Sequence, residues 1–167
     1  MTYDWPFYLC VFLALWSAIV GGVFSAFSEF IMAALRRAVP SAGIEAMQQI
    51  NRTVLKTQFV AGVLSIAPLS ILLAAYGIWA FNGAALLALL LAPAIYVPTV
   101  FLMTMVGNVP MNNKLDRLDH TSKEAADYWP IYGKIWTRFN HVRSIGSILT
   151  AALYLVASAT LITSGQA

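Results

Sequence analysis

Four long apolar stretches constrain this chain more than any other feature of its sequence. They cover residues 5 to about 35, about 54 to 81, 84 to 106 and about 145 to 162. Each is near or above the roughly 20 residues that a helix needs to cross the hydrocarbon core of a bilayer. None shows the alternation of a strand, and only helices and closed barrels satisfy their backbone groups in lipid. The stretches therefore predict four transmembrane helices.

The composition supports a protein whose exterior faces lipid. Of the 167 residues, 60% are hydrophobic and 10% are charged, whereas a soluble domain carries about 25% charged residues. A chain of this length is expected to form one unit, so we predict a single membrane domain over residues 1–167. The lone Cys10 has no partner for an intrachain disulfide.

The positions of the basic residues predict the orientation of the bundle. All ten Lys and Arg residues lie in or beside the first and third connections, and the second connection and both tails have none. The positive-inside rule then places both termini outside and the two large connections in the cytoplasm. The net charge of +3 is explained by this topology and by contact with membrane lipid, so no nucleic-acid partner is predicted.

The helix boundaries follow from the caps and the prolines. We predict helices over residues 5–37, 42–81, 83–107 and 131–164, and a cytoplasmic connection over 108–130 with a short helix at about 122–128. Ser41 is a suitable N-cap for the second helix, and Thr121 with Glu124 fits a capping box. The expected fold is all-α: an antiparallel bundle of four transmembrane helices, of which helices 2 and 4 extend into the cytoplasm.

Polar side chains from all four helices are predicted to share one layer near the cytoplasmic boundary. Counting about 1.5 Å per residue from the outer helix ends brings Glu29, Asn108 and Arg143 to a similar depth. The full layer contains Glu29, Asn51, Asn108, Asn112, Asn113, Asn140, His141 and Arg143. A carboxylate at this depth needs a cationic partner, so Glu29 is expected to pair with Arg143.

The spacing on the last helix predicts which of these residues face inward. Trp136, Asn140 and Arg143 share a helix face, and His141 is rotated by about 100° from Asn140. Interfacial Asn, Arg and Glu often cap helix ends or meet lipid head groups, and that structural role remains open for each residue alone. Together, however, amides beside an apolar cavity suit an apolar ligand that carries a few oxygen atoms.

The sequence predicts no cofactor. It contains no P-loop, dinucleotide-binding glycine pattern, CxxC motif or serine nucleophile elbow. His120 and His141 are too few for a metal site without help from carboxylates. A haem or metal bound through His141 remains an alternative.

Four segments resemble, in order and spacing, the anthrone oxygenase-like family of small four-helix integral membrane proteins. They are "FSAFSEFIMAAL", "MQQINR", "GNVPMNNKL" and "WTRFNHVRS", and the resemblance extends from about residue 19 to 154. Ala33 stands where many relatives have proline, and Phe139 where many have tryptophan. The resemblance implies an integral protein of a bacterial inner membrane.

The resemblance also implies an activity, the oxidation of an anthrone to an anthraquinone by O2. No added cofactor is expected, because an anthrone is acidic enough to form an electron-rich enolate. The partners would be an apolar aromatic or quinone-like molecule and O2. The alternative is a non-catalytic membrane module that binds a lipid or quinone or serves as a partner subunit.

Roles follow from this implied activity. His141 or Glu29 would remove the proton as a base, and Arg143 would stabilise the developing negative charge or pair with Glu29. The amides would hold the substrate oxygen, and Trp136 would stack on the ring system. The expected substrate-binding residues are Asn51, Asn108, Asn112, Asn113, Trp136 and Asn140.

Overall fold

The structure, a computed structural model, describes residues 4–163. It contains the helices α1 Trp5–Arg37, α2 Pro40–Val54, α3 Gln58–Ala80, α4 Gly83–Asp116 and α5 Lys123–Thr163. No strand occurs within that range. Four of the five helices, α1, α3, α4 and α5, are long and apolar enough to cross a membrane. The predicted all-α fold with four membrane-spanning helices is confirmed, and the orientation stays a prediction.

The second predicted helix is divided in the structure. Helix α2 ends at Val54 and α3 begins at Gln58, where a single helix over 42–81 was expected. Thr57 explains the break, because both its hydroxyl and its N–H donate to the Val54 carbonyl, at 2.7 and 3.1 Å. A Thr side chain that bonds to nearby backbone competes with the helical pattern. Helix α2 therefore lies as a separate element across one end of the bundle, which we call the α2 end.

Helix α4 is longer than predicted. It continues to Asp116 instead of ending at 107, and its segment Val97–Asn108 is π-helical. The α-helical register resumes at Val109, so Pro110 lies where the π-helical segment passes into the α-helical one. Asn112 and Asn113 are consequently helical residues and do not start a loop.

The last helix is also longer than predicted. The short helix expected at 122–128 and the helix expected at 131–164 form the single helix α5. Ser122 caps its start by accepting the Ala125 N–H at 3.1 Å. Pro130 and Ala126 are both exposed, so the Ala126 carbonyl that the proline leaves unbonded lies at the surface, where another partner is available.

Helix α5 is the centre of the bundle and packs along α1 and α4. Close approach to α4 requires Gly146, since a Cβ there would lie 1.9 Å from the Thr99 hydroxyl oxygen. Ser17 and Gly21 of α1 are buried, and a Cβ at Gly21 would lie 2.9 Å from Ile148. Small residues at these contacts let the helix backbones approach, which fixes the position of the polar residues of α5 relative to α1 and α4.

Candidate functional site

A cavity of about 360 Å³ lies inside the bundle at the α2 end. All five helices contribute to its wall, which is mostly apolar. Its polar lining residues are Asn51, Arg52, Thr104, Asn108, Asn112, Asn113, Asp116 and Arg143. An apolar cavity with a few convergent polar groups is the usual form of a small-molecule site.

Arg143 is the dominant charge in this cavity. It is 5% exposed, and its guanidinium donates to Asn140 Oδ1 and, at 3.4 Å, to Thr104 Oγ1. The guanidinium carbon lies 4.1 Å from the ring centre of Phe24 and 5.4 Å from that of Trp136. Its Nε is buried without an acceptor. These partners are neutral, and none of them bonds to Nε.

Within residues 4–163, no carboxylate lies within ion-pair distance of Arg143. The ion pairs of that range join Arg52 to Asp116, and His120 to Glu45 and Asp119. A buried charge without a counter-charge lowers stability unless another interaction compensates it. The cavity thus presents an uncompensated positive charge to whatever occupies it, which favours an anionic or oxygen-rich group.

Asn140 holds Arg143 in place. Its Nδ2 donates to the Phe24 carbonyl and, at 2.6 Å, to Ser28 Oγ, which leaves Oδ1 to accept from Arg143. The π-helical segment Phe27–Ile31 follows Phe24 in α1, and a change from i+4 to i+5 bonding gives a nearby carbonyl spare capacity. Asn140 does not line the cavity, so its role is to position the arginine.

Two asparagines of α4 form the wall beside the arginine. Asn108 donates to the Trp136 carbonyl at 3.1 Å, and its Oδ1 is buried without a donor. Asn112 Oδ1 accepts from Trp136 Nε1 at 2.8 Å and from the Tyr132 hydroxyl at 2.9 Å. Asn112 therefore fixes the Trp136 ring, while Asn108 Oδ1 is left without a hydrogen-bond donor in the described part of the chain.

The structure brings six of the nine predicted site residues to the cavity. These are Asn51, Asn108, Asn112, Asn113, Trp136 and Arg143. Asn113 is the most peripheral, because its side chain is exposed. Their common depth in a membrane stays a prediction.

The two predicted bases do not reach the cavity. Glu29 and His141 are both exposed, and neither lines it. The expected ion pair between Glu29 and Arg143 is absent from the described part of the chain. On α1 the buried positions Gly21 and Phe24 continue at i+3 and i+4 to 27, 28 and 31, so Glu29 lies off the buried face. His141 follows the buried Asn140 directly and points outward, as a rotation of about 100° requires. The same residues 4–163 contain no group of three His, Cys, Asp or Glu side chains placed for a metal.

Thr104 is a cavity residue that was not predicted from the sequence. It lines the cavity and accepts a hydrogen bond from Arg143. Thr104, Asn108 and Asn112 recur every fourth residue, which is the signature of one helix face. This signal was hidden because the helix was expected to end at 107.

Fold and cavity define a helical membrane-spanning protein with a buried cation at the wall of an internal cavity. The family model described as anthrone oxygenase matches residues 51–162. Since that segment is about two thirds of the chain, the protein belongs to the anthrone oxygenase family. The matched segment contains every polar lining residue of the cavity. Comparison with curated proteins and with solved structures gives no match.

Proposed function

We propose that the protein oxidises an apolar aromatic substrate of the anthrone type with O2 in this cavity. The observation that carries the proposal is Arg143, a buried cation without a counter-charge at the cavity wall. An anthrone has a flat apolar ring system and an oxygen that becomes negative when the molecule ionises. The aromatic side chains of Phe24, Phe27 and Trp136 in the cavity wall suit the ring system. The positive charge of Arg143 suits the oxygen that becomes negative.

The first step is loss of a proton from the CH2 group to give the enolate. At a separation of about 4 Å and an effective dielectric constant of about 20, a cation stabilises an anion by about 4 kcal/mol. That corresponds to roughly three units of substrate pKa. With such help, water is a sufficient proton acceptor for an acid as strong as an anthrone. The site therefore operates without His141 or Glu29 as a base.

The second step is reaction of the electron-rich carbon with O2. A C–O bond forms, the O–O bond then breaks, and the carbon keeps one oxygen as a carbonyl. The other oxygen leaves as water with the two hydrogens of the original CH2 group. The balance is CH2 plus O2 to C=O plus H2O. Asn108 Oδ1, which has no donor in the protein, accepts a hydrogen bond from a phenolic hydroxyl of the substrate and fixes its orientation.

Oxygen uptake with 1,8-dihydroxyanthrone tests the proposal. The protein is assayed in nanodiscs at mildly acidic pH, where the uncatalysed reaction is slow, and empty nanodiscs give the background. Arg143→Met removes the charge, and kcat should fall by about 10²–10³, the usual effect of losing one oxyanion donor. Arg138→Met is the matched control, because Arg138 is an exposed arginine of the same helix.

Equal uptake by both variants would refute the role of Arg143. No uptake above background by the wild type, combined with binding of the oxidation product, would favour the non-catalytic module that binds an apolar ligand.

A further inference from the structure

The cavity is not enclosed, and its lining is polar at one side and apolar at the other. At the polar side, Arg52 Nε donates to Asp116 Oδ1 at 2.6 Å, which joins α2 to the end of α4. Gln48 Nε2 adds hydrogen bonds to the Leu115 and Leu118 carbonyls, each at 2.8 Å. Helix α2 is thereby fastened over the end of α4, so this side is closed by specific bonds.

At the apolar side, α3 and α4 are joined by the hydrogen bond that the Tyr96 hydroxyl donates to the Val63 carbonyl, at 2.9 Å. Leu55, Leu64 and Met105 line the cavity and are also exposed at the protein surface, by 70%, 40% and 47%. Leu64 lies about 9 Å from the start of α3, and Met105 about 16 Å from the end of α4, at 1.5 Å per residue. Both therefore lie inside helices that are long and apolar enough to cross a membrane.

Helix α3 is weakened on both sides of this opening. Pro68 lies inside α3 and has no N–H for the Leu64 carbonyl, the acceptor one turn earlier. The break at residues 55–57 separates the other end from α2. Residues 58–64 therefore form a short helical segment between two points where the backbone bonding is interrupted.

We propose that the ligand of the cavity enters from the hydrocarbon layer of the membrane, between Leu64 of α3 and Met105 of α4. This inference rests on the proposed function, since it assumes an apolar ring system as the ligand. Its substrate class is a membrane-dissolved aromatic molecule with oxygen atoms at one end. The oxygen-bearing end enters first and reaches Arg143 and Asn108, and the apolar end stays at the opening.

Association kinetics of a non-oxidisable probe test the route. 1,8-Dihydroxyanthraquinone is supplied in donor vesicles to protein in proteoliposomes, and binding is followed by its visible absorption. The double variant Leu64→Trp/Met105→Trp narrows the apolar side. Association should slow by about tenfold, because bulk at an entrance lowers the rate of passage. The two Trp side chains also contact the bound ligand, so the association rate, and not Kd, is the quantity compared. Saturable binding of the probe shows that the variant is folded.

Two controls separate the routes. Leu72→Trp adds the same bulk at a residue of α3 that is 66% exposed and does not line the cavity, and its rate should equal that of the wild type. Arg52→Gln removes the ion pair with Asp116 that closes the polar side and should leave the association rate unchanged. Faster association in Arg52→Gln, or an unchanged rate in the double variant, would overturn the proposal. Because this probe is not oxidised, it tests the entry route independently of catalysis. Absence of oxygen uptake with 1,8-dihydroxyanthrone would refute the catalytic proposal and leave the entry route unaffected.

Discussion

A carboxylate at position 104 should remove most of the activity by giving Arg143 a counter-charge inside the cavity. Thr104 Oγ1 lies 3.4 Å from Arg143 Nη1, so the side chain of Thr104→Asp would meet the guanidinium directly. At about 4 Å and an effective dielectric constant of about 20, this attraction amounts to about 4 kcal/mol. The substrate anion would receive an attraction of the same size, and the new carboxylate would cancel it. Since the cavity is partly open, we expect kcat/KM to fall by about 10²–10³.

Thr104→Asn is the matched control for this change. It has nearly the size of Asp and no charge, and both variants lose the hydrogen bond from Thr104 to the Val100 carbonyl. Oxygen uptake with 1,8-dihydroxyanthrone gives kcat/KM, and titration with 1,8-dihydroxyanthraquinone gives Kd for the two variants. The value of kcat/KM should fall, and Kd should rise, much more in the Asp variant than in the Asn variant. Equal values in the two variants would show that the charge of Arg143 does not act on the ligand.

The other predictions concern residues outside the cavity. His141→Ala and Glu29→Gln should keep turnover within about twofold of the wild type, because substitutions of exposed residues have small effects. A tenfold loss in the same oxygen assay would show that the substituted residue acts as the base that removes the substrate proton. Gly62→Ala should lower the free energy of unfolding by about 1–3 kcal/mol, because its Cβ would lie 1.5 Å from Trp16 Nε1. Gly22→Ala, with no atom within 4 Å of its Cβ, should show no such loss in thermal unfolding in detergent.

Helix number and the depth of the polar layer could be predicted because both depend on lengths. A membrane has a fixed thickness and a helix a fixed rise, so counting residues locates a side chain along the membrane normal. This counting predicted a similar depth for Asn108 and Arg143 and a slightly deeper position for Asn51, and all three line the cavity. The same counting carries no information about the direction in which each side chain points.

Direction depends on the helical register, which the sequence reveals only where polar residues mark one face of a membrane helix. On α5, Trp136, Asn140 and Arg143 mark such a face, and all three are buried. The π-helical segment Val97–Asn108 of α4 was not predicted from any residue pattern. Helix α4 also continues past Pro110, where a helix end had been expected.

The entry route and the chemistry constrain each other. An anion does not dissolve in hydrocarbon, so a substrate that passes between Leu64 and Met105 must enter as the neutral acid. Ionisation must then follow inside the protein, and Arg143 is the group that makes it favourable there. On this proposal the reactive enolate exists at the cavity wall and not in the membrane, which limits its uncatalysed oxidation. The quinone product has no acidic CH2 group, so it gains less from Arg143 than the enolate does. Its neutrality also allows it to leave through the same apolar opening.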